Sequence, residues 1–297
     1  MKQTDQPLSV PWAFRVAGLL NRAIPERVRR AARHIPLLNR SIQRFLDQQA
    51  PPGATVITVA GGVLRGARLE LDLMSEREYW LGSYERQFPL AVRHFCKPGM
   101  TIYDVGANIG YTSLMFARIV GVQGCVYAFE PLPANIARLR THMRLNLDLA
   151  HVQVIPSAVS DQEGHEIFLT HQSAAMGKLI GSSDRETTYV DQIEVASLRL
   201  DDFVYRDHHP LPDLIKIDIE GGAVKALPGM SRILAERRPL LFMELHGPAE
   251  QEVAWDMLQP LGYQLRSMNR GYPVVATRSD LATRWRQHVV AIPCDSV

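Results

Sequence analysis

A chain of 297 residues is long enough for one large α/β domain and an extension, and its 46% hydrophobic and 22% charged residues describe an ordinary core-forming protein. The net charge of +2 argues against strong whole-surface attraction to nucleic acid, and Cys96, Cys125 and Cys294, without a Cys-x-x-Cys pair, argue against a disulfide framework or structural zinc. No apolar run approaches the ~18–20 residues of a membrane span, and Arg15 splits the most apolar N-terminal stretch, so a reducing, cytoplasmic setting is expected.

Residues 1–50 hold nine Lys/Arg against three Asp/Glu, a net of +6 that leaves −4 for the rest. They read as a basic helical extension broken by Pro25 and Pro36: a solvated face or lid, or else a surface for anionic membrane or a polyanion. Pro51-Pro52-Gly53 ends it. Runs at 55–59 and 69–73 around Gly61-Gly62 predict a small β-hairpin, and 84–95 a helix, so 51–98 leads into the core. From Met100 the elements alternate, with strands expected at 101–105, 124–129, 152–155, 213–219 and 239–245. Helices are expected at 111–120, 133–146, 222–235 and 249–259. Strands at 263–268 and 288–292 complete a domain spanning 99–297. Such alternation implies a parallel sheet covered on both faces. Residues 161–212 interrupt it with a short hairpin at Glu163-Gly164 and a polar stretch at 172–187, read as an insertion that carries a substrate loop.

The most informative stretch is Tyr103-Asp104-Val105-Gly106-Ala107-Asn108-Ile109-Gly110-Tyr111, where a strand hands over to a helix. Glycines at that turn let the backbone bend and approach a ligand, and the helix start offers unpaired N–H donors. Glu130 ends the next strand, 24 residues after Gly106, where an acid can accept both ribose hydroxyls of a nucleoside. The spacing Gly-x-x-x-Gly differs from a dinucleotide fingerprint, and no triphosphate-binding loop is present. Asp104 would repel a pyrophosphate but suits a ligand bearing ammonium and sulfonium charges, namely S-adenosylmethionine.

Ligands of open α/β sheets lie beyond the carboxyl ends of the strands. Those ends carry Asp104 to Gly110, Glu130 to Leu132, Ser157-Ala158, Lys216 to Gly221 and Glu244 to Gly247. Asp218 and Glu220, two apart on the expected strand, would share a face with Lys216, a costly arrangement unless paired or functional. His246 follows an apolar run and is the expected base. No metal-ligand motif emerges and no metal ligand is assigned, although Asp218 with Glu220 leaves a magnesium pair open.

These residues resemble the FkbM-type S-adenosylmethionine-dependent methyltransferases from about residue 79 to 246. The shared motifs are Tyr79-Trp80-Leu81-Gly82-Ser83-Tyr84-Glu85, Asp104 to Tyr111, Ala128-Phe129-Glu130-Pro131, Ala158-Val159-Ser160-Asp161, Leu198-Arg199-Leu200-Asp201-Asp202 and Asp213 to Gly221. The resemblance implies a class I methyltransferase (Rossmann-like) fold, a mostly parallel seven-stranded sheet with helices on both faces. It implies Asp104, Gly106, Asn108 and Gly110 around the methionine part of the cofactor and Glu130 on its ribose. It also implies O-methylation of a hydroxyl. Many relatives read Glu-Gly-His-Glu or Glu-Gly-Ala-Glu after the fourth strand, whereas this chain has Glu220-Gly221-Gly222-Ala223 and lacks the second acid.

The resulting expectation is an O-methyltransferase for a hydroxyl of a sugar, glycolipid, polysaccharide or natural product. Leu132 and Ala158 flank the adenine, and Asp218, Glu220 and His246 form the catalytic side. Replacing Glu130 with alanine should abolish cofactor binding and leave the fold intact. Two rivals are a nucleic-acid or protein methyltransferase using the basic arm, and a membrane-attached scaffold without turnover. A nucleic-acid partner is not expected, because the arm lacks interleaved aromatics; peripheral membrane contact would run through residues 1–50.

Overall fold

The computed structural model describes residues 12–14, 16–17, 44–46, 48–85, 87–149, 151–170, 177–179, 182 and 191–294. Most of the basic arm and most of the polar stretch at 172–187 lie outside the described residues. The chain forms two compact units, Met1–Pro89 with Thr141–Asp148, and Leu90–Arg140 with Leu149–Val297.

In the first unit, β1 (Ala54–Thr58) and β2 (Arg68–Asp72) form the expected antiparallel hairpin, with Val56 opposite Glu70. Alternate residues Leu69 and Leu71 are fully buried, as a two-residue period requires. The free edge of β2 is satisfied by side chains: Asn146 accepts from Arg68 N and donates to Arg68 O, and His142 Nε2 lies 3.0 Å from Glu70 N. A short helix, α1 (Arg77–Leu81), buries Trp80 edge-on against Phe14. Helix α2 (Gln87–Phe95) follows, starting three residues later than expected.

The second unit holds a seven-stranded sheet. Its strands are β3 (Thr101–Val105), β4 (Cys125–Phe129), β5 (Val152–Ile155), β10 (Leu214–Ile217), β11 (Leu240–His246), β12 (Tyr263–Ser267) and β13 (Arg286–Pro293). The order is β12-β13-β11-β10-β3-β4-β5, and β13 alone runs antiparallel to its neighbours, which is the expected mostly parallel α/β sheet. Helices α3 (Tyr111–Val120), α4 (Pro133–Leu145) and α8 (Pro248–Leu258) lie close to their expected bounds. One face of the central strands is apolar, with Ile215, Ile217, Leu241 and Met243 sealed in one core with Tyr103, Phe129 and Phe203, while Asp104, Lys216 and Glu244 alternate with them.

Three expectations need correction. Strand β10 ends at Ile217, so Asp218 and Glu220 follow the strand rather than share its face, and a turn through Gly221 at φ +71° carries the chain onward. The helix expected over 222–235 is broken into α6 (Ala223–Ala226), a 3-10 turn at Pro228–Met230 and α7 (Ser231–Glu236), because Pro228 cannot donate a helical hydrogen bond. The 161–212 insertion carries no hairpin at Glu163-Gly164. Strands β6 (Ala158–Val159), β7 (Gly164–Thr170), β8 (Gly177–Leu179) and β9 (Asp191–Leu198) form a separate sheet in the order β6-β9-β7-β8, so β6 and β7 each pair with β9 and not with each other. Helix α5 (Leu200–Tyr205) then returns the chain to the main sheet. Among the described residues no helix is long and apolar enough to cross a membrane.

Candidate active site

The site starts at the carboxyl end of β3. Gly106 (φ +80°) and Gly110 (φ +85°) occupy the left-handed region, with Asn108 (φ +52°) between them. Space restricts these glycines further. A Cβ on Gly106 would stand 2.0 Å from Asp218 O, and one on Gly110 would stand 2.7 Å from Leu139 Cγ. The turn is pinned to the next strand by Gly106 N and Ala107 N, which both donate to Phe129 O.

Asp104 is fully buried. Its Oδ2 accepts hydrogen bonds from Thr112 (2.7 Å) and Ser113 (2.6 Å) in the first turn of α3, and its Oδ1 lies 3.2 Å from Lys216 Nζ. Register explains the ion pair: Lys216 on β10 is the cross-strand partner of Asp104. Lys216 also donates to Gly106 O at 2.8 Å and lies 3.5 Å from Asp218 Oδ2. Asp104 therefore braces the strand, the helix start and the turn, and its carboxylate is not presented to solvent. The hydroxyls of Thr112 and Ser113 carry this role unforeseen from sequence; their signal is two hydroxyl residues at the second and third positions of a helix that follows a buried acid.

Glu130, 4% exposed, links the Gly106 turn to the loop after β4. Oε2 accepts from Asn108 N at 2.8 Å; Oε1 accepts from Leu132 N at 3.0 Å and from the Asn135 amide at 3.2 Å. Burial pushes its carboxyl above the usual range, opposed by the Leu132 amide, Asn135, the Asn108 amide and Lys216. Leu132 is buried beside it, while Ala158 stands in β6 of the second sheet.

The second half of the site lies past β10 and β11. His246 is almost fully buried, with Nε2 at 3.6 Å from Asp218 Oδ1 and 3.5 Å from Glu244 Oε1, and Nδ1 at 3.7 Å from Glu220 Oε2. Asp218 and Glu220 keep 27% and 29% of their side chains exposed. They meet at His246 although they do not lie on one strand face. Burial works against a charged imidazole, but the contact with Asp218 and the charges of Asp218, Glu220 and Glu250 win and raise His246 to about 9. Burial opposes the charge on Asp218 too, yet Lys216, His246 and Arg286 hold its carboxyl well below the usual range. The shift favours the protonated imidazole, whereas the base expected from sequence acts in its neutral form.

Glu250, fully buried in the first turn of α8, accepts from His246 N with one oxygen and from Ala223 N at 2.6 Å with the other. Burial raises its carboxyl to about 7, against the pull of those two amides and of His246. Ala223 is buried, and the carboxylate at its backbone belongs to Glu250. Glu244 faces Arg286, with which it is ion-paired, and His288 Nδ1 at 3.7 Å. Burial and Arg286 lower His288 to about 4. Sequence reading assigned Glu244 no role, though the two-residue strand period already places it on the face of His246.

These groups fit S-adenosylmethionine. The turn is built on two glycines in the left-handed region, Glu130 Oε2 keeps one lone pair for a ribose hydroxyl beside the bond from Asn108 N, and Lys216, the cation at the turn, is held by Asp104 and Asp218 rather than offered to a pyrophosphate.

Comparisons agree with this chemistry. The hexuronic acid methyltransferase AglP of Haloferax volcanii is 28% identical over 181 residues, covering 60% of this chain and 70% of that one. The 31-O-demethyl-FK506 methyltransferase FkbM of Streptomyces tacrolimicus is 25% identical over 268 residues, covering 81% and 94%. A crystal structure of methyltransferase FkbM from Methylobacillus flagellatus aligns with 16% identity and a TM-score of 0.43, over 65% of this chain and 43% of that one. The model of the methyltransferase FkbM domain matches residues 104–271, from the buried aspartate of the turn to beyond His246. A match over more than half of the chain places this protein in the FkbM methyltransferase domain family, whose methyl donor is S-adenosylmethionine.

Proposed function

We propose that the protein methylates a hydroxyl of a sugar, glycolipid, polysaccharide or natural product, with the acceptor held at the Asp218, Glu220 and His246 cluster. One observation carries this reading: the main chain of Asp218 lies directly against Gly106, and Asp218 N donates to Val105 O at 3.1 Å. The turn that approaches the cofactor and the group of exposed carboxylates are therefore a single residue contact apart. When bound, S-adenosylmethionine supplies an electrophilic methyl group on sulfur. The protein must align an oxygen with it and remove one proton. The hydroxyl proton becomes strongly acidic as the methyl–oxygen bond forms, so a carboxylate is basic enough to take it. Glu220 fills that role, Asp218 orients the hydroxyl, and His246 lies between both carboxylates. The names of two relatives, one for a hexuronic acid and one for an O-demethyl natural product, support an oxygen acceptor. Acceptance of nucleic acid or protein would rest on the basic arm, most of which lies outside the described residues.

Titration calorimetry with S-adenosylmethionine and S-adenosylhomocysteine, with NADH as control, tests the reading before any acceptor screen. Micromolar binding of the first two alone is expected; folded protein that binds neither sinks it. Glu130→Ala should weaken that binding by more than about 100-fold, since hydrogen bonds to a charged group contribute about 1.5–3 kcal/mol each. The structure adds a stability cost of about 2 kcal/mol, because Asn108 N and Leu132 N lose their acceptor. The expectation of an undisturbed fold is revised accordingly.

The raised carboxyl of Glu130 also sets a pH dependence. Ribose hydroxyls are best accepted by the ionised form, so acidification should weaken cofactor binding at pH values above those at which ordinary glutamates titrate. Calorimetric affinities across that range check it, and a flat profile contradicts it.

A further inference from the structure

Glu244 and His246 stand two residues apart on β11, so both side chains leave the same face of the sheet. Asp218 joins them from the end of β10, the adjacent parallel strand. The potential ligand atoms of the three residues all fall within 4.8 Å of one another. The His246 side chain is more than nine-tenths buried, yet Nε2 makes no hydrogen bond and points into the gap between the two carboxylates. Its separations of 3.5 and 3.6 Å are long for hydrogen bonds. They match the edge of a coordination shell, since donors about 2.1–2.2 Å from one ion stand about 3.0–3.5 Å apart.

We propose that Asp218 Oδ1, Glu244 Oε1 and His246 Nε2 bind a divalent cation at the acceptor end of the site. The inference rests on the reading that this cluster receives the acceptor. Two carboxylates and one imidazole make a donor set of intermediate hardness, which suits Mn²⁺ better than an all-oxygen site for Ca²⁺ or a thiolate site for Zn²⁺. The neighbours are arranged accordingly. Lys216 engages Asp218 through Oδ2 and leaves Oδ1 toward His246, while Glu220 addresses the other imidazole nitrogen, as outer partners of metal-bound histidines do. Arg286, half-exposed, is ion-paired with the same Glu244 oxygen, so an entering cation competes with the guanidinium. The ion replaces the proton on Nε2 and leaves coordination positions for water or an acceptor oxygen, whose proton it would make easier to remove.

Electron paramagnetic resonance of Mn²⁺ titrated into the full chain at mildly alkaline pH tests this, because the free-ion signal falls as the ion binds. One bound Mn²⁺ per chain is expected. Glu244→Gln should weaken binding about tenfold or more, and Arg286→Gln, which removes the competing cation, should tighten it by about threefold or more. Calorimetry with S-adenosylhomocysteine on the same preparations reports the fold and the cofactor site separately. If the protein binds S-adenosylhomocysteine but leaves the Mn²⁺ signal at full height, the cation site is refuted and the methyltransferase reading stands. Equal Mn²⁺ affinity in the parent chain and in Glu244→Gln also refutes it. Should Glu244→Gln fail to fold, Asp218→Asn and the opposite-signed Arg286→Gln decide the matter.

Discussion

Gly106→Ala should lose cofactor binding and about 2–5 kcal/mol of stability, a large share of the roughly 5–15 kcal/mol that holds a domain folded. Two costs add. Alanine at φ +80° pays about 1–2 kcal/mol for the left-handed region. Its Cβ would also stand 2.0 Å from Asp218 O, a backbone atom that cannot rotate away, and relieving such overpacking costs about 1–3 kcal/mol. The relief must come from shifting either the turn or the end of β10. The first displaces Asn108 N from Glu130 and Lys216 from Gly106 O; the second pulls Lys216 on β10 away from Gly106 O and moves Asp218 out of the His246 cluster. Both directions damage the site, so the loss of binding does not depend on which one the chain takes. Urea denaturation gives the stability change and calorimetry the affinity. A variant with parental midpoint and affinity would show that the contact between Gly106 and Asp218 is not a constraint.

What the sequence makes legible divides along physical lines. The Gly106 turn, Glu130 and the parallel sheet depend on local patterns: an apolar strand, glycines at the handover, an acid at the next strand end. Each survives into the structure because tertiary packing reinforces the local preference. Asp218 and Glu220 reach His246 as expected but by another route, since the strand that was to align them stops at Ile217. The second sheet was illegible because its pairs are non-local: Ala158 lies opposite Ser197, with two intervening strands that read as a hairpin at Glu163-Gly164 and a polar stretch. Asp104 shows the converse case. Its charge suggested a ligand contact, and in the structure Oδ2 is taken by two helical hydroxyls while Oδ1 faces a cross-strand lysine at 3.2 Å without a hydrogen bond. Sequence alone cannot tell whether a strand-end acid faces outward to a ligand or inward to a helix start.

Glu250 was missed for a related reason, and its replacement should have the second large effect. An acid in the first turn of a helix ordinarily sits in solvent and complements the helix dipole. Here the side chain is sealed, and its two oxygens clasp Ala223 N and His246 N, the backbone of the two loops that bring Glu220 and His246 together. Glu250→Ala leaves two buried N–H groups without acceptors, at about 1–3 kcal/mol each, so a loss of about 2–6 kcal/mol is expected. Glu250→Gln keeps one carbonyl acceptor but turns an NH₂ group toward the other amide, so it should fall between alanine and the parent. The Gly106 turn and Glu130 lie outside this clasp, so affinity for S-adenosylhomocysteine should stay within a few-fold in the folded fraction. Hydrogen exchange supplies the local readout: the amides of Ala223 and His246 should exchange faster in both variants, while those of β3 and β4 change only with global stability. Unchanged exchange at both amides would mean that Glu250 fills space and does not hold the two loops in register.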